Sequence, residues 1–185
     1  MRLKSPILGL AAAMLSWLPH AADAQQNVWL RDGAPAGNGP SRAAVGEFAV
    51  MQVATPDPDG LMAAWNKPTA GVNVTTAHQI ARNQPIVTFI VFEGCARDAA
   101  GACNVTADFE TMDPSGKVYD LSRNVAIWVG HPPPPAGSLQ LSEGALGLRI
   151  GDKDPLGAYR IRVTITDHVS GNVLHTEDSI TATAN

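Results

Sequence analysis

Residues 158–166 place Tyr159, Ile161, Val163 and Ile165 alternately with Arg160, Arg162, Thr164 and Thr166. A period of two gathers the four apolar side chains on one face of a strand and the polar ones on the other, a sorting that no helix achieves. The pattern recurs at 103–110, where Cys103, Val105, Ala107 and Phe109 alternate with Asn104, Thr106, Asp108 and Glu110. Residues 86–92 are instead almost unbroken apolar and β-branched, as in a strand central in a sheet or buried on both faces. Further strands are expected at 47–54, 117–121 and 125–129, around Leu146, Leu148 and Ile150, and in a last segment ending near Thr183. Asp113-Pro114-Ser115-Gly116 and Val169-Ser170-Gly171-Asn172 read as turns. His131 to Gly137 contains four consecutive prolines, which have no N–H for a ladder, and must be an extended connection. Leu61-Met62-Ala63-Ala64-Trp65, after an Asp cap and before Pro68, allows one or two helical turns. About eight strands with frequent turns and hardly any helix predict an all-β antiparallel sandwich.

The ends of the chain divide differently. Arg2 and Lys4, the apolar stretch 7–18 and Ala22-Asp23-Ala24 form the pattern of a secretory signal peptide over 1–24. The apolar stretch is shorter than the roughly 18 residues that a membrane span needs. Residues 25–45, rich in Gly, Ala, Pro and Asn, read as a flexible N-terminal arm with an apolar spot at Val28, Trp29 and Leu30. Residues 46–82 are expected to be a strand and short helix packed on the core, and 83–185 the β-sandwich. The expected location is the periplasm or cell exterior, with no membrane span in the mature chain. A formal net charge of −4 without a basic run excludes the positive footprint that nucleic acid or an acidic membrane surface requires.

Two cysteines are present, Cys95 and Cys103. In an oxidising compartment so close a pair reads as a disulfide, stabilising by about 2.5 kcal/mol in the chain-entropy model. Redox activity would favour C-x-x-C at a helix N-terminus, whereas residues 96–102 look like a hairpin loop. His78, His131, His168 and His175 lack the close pairing of zinc ligands. A two-residue turn would set His168 opposite Val173 and His175 opposite Thr166. Met51, Met62 and Met112 are scattered, and Asp57-Pro58-Asp59-Gly60 and Asp152-Lys153-Asp154 do not follow the calcium-loop series. No metal and no cofactor are expected. There is no G-x-S-x-G elbow, no S-x-x-K and no thiol left once the disulfide forms, so no catalytic residue is assigned. A triad or carboxylate pair assembled from distant positions stays open. Asn73-Val74-Thr75 and Asn104-Val105-Thr106 match the glycosylation sequon, a short pattern that also arises by chance.

The segment with most to offer a partner is Trp128-Val129-Gly130-His131 followed by the four prolines. A proline run is stiff and presents carbonyls with little entropy to lose. Trp128, His131, Pro133 and Pro134 are therefore the candidate partner surface. The competing reading makes the prolines an inter-strand crossover with Trp128 in the core.

Asp154-Pro155-Leu156-Gly157-Ala158-Tyr159-Arg160-Ile161 resembles the tyrosine corner of immunoglobulin-like and fibronectin-like Greek-key sandwiches. The resemblance assigns Gly157 and Tyr159 to the corner, with the phenol bonding back to the backbone. Ile161 stands where antibody domains have a cysteine, and Cys95 and Cys103 are too close in sequence for an inter-sheet bridge, so an antibody-type domain is excluded. Over 47–183 the chain also resembles a group of small secreted bacterial proteins, through Phe92-Glu93-Gly94-Cys95, Cys103-Asn104-Val105-Thr106, Asp113-Pro114-Ser115-Gly116 and the corner. That resemblance implies export and fold but brings no activity. The expectation is an exported, non-enzymatic binding or accessory protein whose partner is an exported protein or a cell-envelope component, and not nucleic acid. An assembly or chaperone-type factor using a sheet edge, and a sandwich hydrolase whose site is invisible in sequence, are the alternatives.

Overall fold

The computed structural model describes residues 29–31, 34–36, 38–67 and 75–184. The expected signal peptide, most of the N-terminal arm before residue 38, and Asn73 lie outside them. β1 (Trp29–Arg31) and β2 (Ala34–Ala36) pair only with each other. The remaining elements follow as β3 (Arg42–Val45), β4 (Phe48–Thr55), α1 (Pro58–Trp65), β5 (Gln79–Ala81), β6 (Pro85–Glu93) and β7 (Asn104–Met112). After these come β8 (Val118–Val129), β9 (Gln140–Arg149), β10 (Gly157–Asp167) and β11 (Asn172–Thr183). One sheet has the order β3-β4-β6-β9, the other β5-β11-β10-β7-β8, with only the β5–β11 pairing parallel. The chain changes sheet after β4, β5, β6, β8 and β9, producing an immunoglobulin-like Greek-key sandwich.

The alternating strands supply its interior. Tyr159, Ile161, Val163 and Ile165 of β10 and Val105, Ala107 and Phe109 of β7 meet Phe48 and Val50 of β4, Ile86, Ile90 and Phe92 of β6, and Leu146 and Leu148 of β9. The unbroken apolar run of β6 has a direct cause. Its other face, Phe89 and Val91, packs with Val53 and Leu141 beneath Leu61 of α1. Fully burying a leucine in such a cluster contributes about 1.5–3 kcal/mol, which keeps this short helix on the sheet. Asp57 caps α1 by accepting from the Gly60 N–H at 2.9 Å, and Pro58 opens it where a missing N–H costs nothing.

A buried polar crossing joins the sheets. The Gln52 amide of β4, 4% exposed, donates to the Ile161 carbonyl at 3.2 Å and accepts from Thr176 Oγ1 at 2.9 Å. Both ends of the amide are thus satisfied away from water.

Several expectations need correction. β4 lies between β3 and β6 and feeds the core, so it is an interior strand and not an addition packed on the sandwich. Arg42–Val45, placed in the arm, pairs with β4. The two short strands expected at 117–121 and 125–129 are one strand, β8, because Asn124 takes a left-handed φ of 52° within it and its N–H is held by Asp108 Oδ1 at 2.8 Å. A short polar residue is among the few that tolerate that conformation.

At the far end, Tyr159 OH donates to the Pro155 carbonyl at 2.8 Å, and Gly157 sits at φ 130° against Pro114. Tyr119 stands edge-on to Tyr159 at 5.2 Å and donates to Asp154 Oδ2 at 2.8 Å. This bond, followed by one from the Gly151 N–H, holds the Asp154 carboxyl below its usual range. Burial first, and then Asp154, push the Tyr119 phenol up to about 12, while burial also raises Tyr159. Beside Asp154, Arg82 Nη1 donates to the carbonyls of Gly151 and Asp152.

A raised phenol favours the protonated, folded state, a contribution fully present below pH 10 and lost as pH climbs through about 12. The chain has two tyrosines. In a phenolate absorbance titration of the folded protein, both should ionise above the ordinary tyrosine value, and Tyr119→Phe should remove the component near pH 12. A step at pH 10 in folded protein that disappears in Tyr119→Phe would contradict the Tyr119–Asp154 bond.

Candidate functional site

Three connections meet at the opposite end of the sandwich: the β6–β7 loop 94–103, the β8–β9 crossover 130–139 and the β10–β11 turn 168–171. Each is fixed by its own chemistry. Cys95 and Cys103 are bonded and buried, with their Cα atoms 6.0 Å apart. Between them Asp98 Oδ1 accepts from the N–H groups of Ala100 at 2.8 Å and Ala102 at 2.9 Å, folding the loop on itself. Gly94 enters the loop at φ 70°, and a Cβ there would fall 1.8 Å from the Glu47 carbonyl oxygen, so only glycine fits this approach.

The crossover is stitched to that loop. The Cys103 N–H donates to the His131 carbonyl at 2.8 Å, and the Gly130 N–H to the Cys103 carbonyl at 3.0 Å. Trp128 Nε1 donates to the Pro132 carbonyl at 2.9 Å, and its ring lies against Phe92 at 6.0 Å and His131 at 4.7 Å. His131 Nε2 lies 3.0 Å from Glu143 Oε1 on β9. Trp128 therefore packs partly on the core while its polar edge holds the first proline. The structure brings Trp128 and His131 together and sets Pro133 and Pro134 on the wall of a groove.

The third connection depends on Asp167, 0% exposed at the end of β10. Its Oδ2 accepts from the Ala96 N–H at 2.9 Å and Ser170 Oγ at 2.8 Å, and its Oδ1 from the Val169 N–H at 3.0 Å. One carboxylate thus ties the disulfide loop to the hairpin turn. Sequence reasoning missed it by ending the strand at Thr166, although an Asp three residues before a Ser is a recognisable turn pattern. The turn is also wider than expected. The Gly171 N–H closes on the Asp167 carbonyl at 2.8 Å, leaving four residues between the strands, so His175 stands opposite Thr164 and not Thr166.

Together with the β3–β4 corner these connections enclose an open groove of about 1100 Å³. Val45 and Leu139, 42% and 43% exposed, are apolar side chains on its walls, with Met51 and Phe48 beside them. Arg42, Glu47, Glu93 and Arg97 supply its charge. Glu93 is half-buried, and burial pushes its carboxyl above the usual range.

The other histidines are dispersed. His78 faces Asp178 at 3.4 Å, His168 bonds Thr106 at 2.8 Å and His175 bonds Thr164 at 3.1 Å. Among the described residues no three His, Cys, Asp or Glu side chains gather as a metal site. A shallower depression on the outer face of the five-stranded sheet holds Asp108, Glu110, Arg123 and the exposed ion pair of Arg162 with Glu177, 2.7 Å apart.

No protein-family model matches the chain, and no curated protein does. Several solved structures are similar to it at low identity. A superoxide reductase (neelaredoxin) from Ignicoccus hospitalis is 9% identical over 60% of this chain and 78% of its own, with a TM-score of 0.39. A CARDB domain from Pyrococcus furiosus, in complex with di-metal ions, is 8% identical over 77% of this chain and 100% of its own, with a TM-score of 0.38. A family 123 glycoside hydrolase from Clostridium perfringens is 10% identical over 74% of this chain, with a TM-score of 0.40, and this chain spans 27% of it.

Replacing Asp167 by Ala strips the partly buried Ala96 and Val169 N–H groups of their acceptor, and an orphaned donor costs about 1–3 kcal/mol when water cannot replace the acceptor. Denaturant unfolding of Asp167→Ala should show a loss of about 3 kcal/mol, with faster amide exchange at residues 96 and 169. Unchanged stability and exchange would show that the carboxylate does not tie the loops.

Proposed function

We propose that this protein works outside the cytoplasm as a non-enzymatic binding or accessory module. In this reading the loop-end groove holds a polypeptide, a segment of an exported protein or of a cell-envelope component. The observation that carries the proposal is that the three connections around the groove are each held by bonds of their own. The disulfide, Trp128 on Pro132 and the Asp167 bonds order the loops before any partner arrives, and a preformed site avoids the ordering cost of binding. Loops gathered at one end of a sandwich are where such folds place recognition. Val45 and Leu139 supply apolar contact that the fold itself leaves open.

The disulfide accords with an oxidising compartment, and no helix among the described residues is long and apolar enough to cross a membrane. The two alternatives find less support. A hydrolase would gather its histidines, whereas each keeps a separate neighbour. A strand-accepting factor needs an open edge. At the β8–β9 side the two sheets touch, because a Cβ on Gly144 would lie 2.4 Å from the Ala126 carbonyl oxygen. The edge strands β3 and β5 have four and three residues.

Affinity capture from the exported fraction of the native organism tests the reading, using wild type, Leu139→Asp in the groove and Arg162→Ala on the outer sheet face. A specific polypeptide should be retained by wild type and by Arg162→Ala, and fall by about tenfold or more with Leu139→Asp, a change of about 1.4 kcal/mol. Equal retention by all three, or none by wild type, would contradict it.

A further inference from the structure

We infer that the groove is built to receive a basic side chain of its polypeptide partner, with Glu93 as the counter-charge. This rests on the groove being a polypeptide site and adds what it selects.

Glu93 closes β6 opposite Ala49, and the strand's alternation puts its side chain on the same face as Val91, which packs among the apolar residues under α1. There its carboxylate is half-buried, and among the described residues it has neither a hydrogen bond nor an ion pair. The other charged groups lining the groove are Arg42, Glu47, Arg97 and Asp167. Asp167 is occupied by Ala96, Val169 and Ser170. Neither arginine is paired with Glu93, although both line the same groove. A carboxylate partly withdrawn from water without a partner gains when a cation reaches it. The upward shift of its carboxyl, caused by burial, is the same cost seen from the proton's side.

Two further features fit a polypeptide carrying that cation. Pro133 and Pro134 have no N–H to donate, and their carbonyls accept no hydrogen bond among the described residues, unlike those of Pro132 and Pro135. They form an acceptor wall suited to the backbone N–H groups of an extended segment. Val45, Met51 and Leu139 offer apolar surface to the methylene stem of a lysine or arginine, leaving its charged head for the carboxylate. Arg42 and Arg97 already supply donors to the lining, and what Glu93 lacks is one ammonium or guanidinium, which a chain of backbone N–H groups can carry.

Selection of phage-displayed random linear peptides on the folded, oxidised protein tests this. The retained peptides should be enriched in Lys or Arg at one position. Binding of individual winners should fall at least about tenfold on Glu93→Gln, as expected for removing one partner of a partly desolvated charge pair. Selection on Glu93→Lys should replace the basic residue by Asp or Glu. Winners that bind Leu139→Asp as well as wild type, or no winners at all, would overturn the groove itself. Winners lost on Leu139→Asp, yet lacking a basic residue or indifferent to Glu93→Gln, would overturn the role of Glu93 and leave the groove standing.

Discussion

Asp167 carries a negative charge into the interior with no cation beside it, a placement that is unfavourable unless donors converge on the oxygens. Three do, and they come from separate pieces of chain: Ala96 from the disulfide loop, Val169 and Ser170 from the hairpin turn. The geometry of the loop end follows from that convergence. With Ala96 held, the disulfide loop lies where Cys103 can exchange hydrogen bonds with Gly130 and His131, and these in turn set the start of the proline crossover. Trp128 then locks the first proline. The groove is the space left between three connections that cannot move independently.

The rest of the sandwich provides the frame. β6 is apolar on both faces because one meets the opposite sheet and the other meets α1, so the central strand is anchored from two sides. Gln52 adds a polar crossing that fixes the relative position of the sheets, since its amide finds both partners only when β4 faces β10 and β11 in this register. At the far end Arg82 holds the loop carbonyls of Gly151 and Asp152. The carboxylates of Asp98, Asp108 and Asp167 hold backbone in place, whereas the half-buried carboxylate of Glu93 does not.

What was legible in the sequence was local. Alternation over 103–110 and 158–166 gave the strands and their inward faces. The Cys95–Cys103 pair closes over eight residues of separation, and Tyr159 reaches a carbonyl four residues back. Interactions whose partners are far apart in sequence, or that need an unusual backbone state, were hidden. Residues 122–124 fell between two expected strands because the left-handed Asn124 inside a strand leaves no periodic mark. Arg42–Val45 sits in a stretch of loop-like composition and becomes a strand only because β4 offers it an edge. The groove draws on residues 42–51, 93–97, 133–139 and 167–172, so no window of the chain contains it. Asp167 was nearest to discovery, its turn pattern being visible and its burial not.

A fixed groove is the central claim, and backbone ¹⁵N relaxation measures it most directly. For the non-proline residues of 94–103, 130–139 and 168–171, order parameters should match those of the core strands, about 0.85 in the protein without a partner. Values below about 0.6 across these connections would mean that the loop end is mobile until something binds, and the preformed site would have to be abandoned.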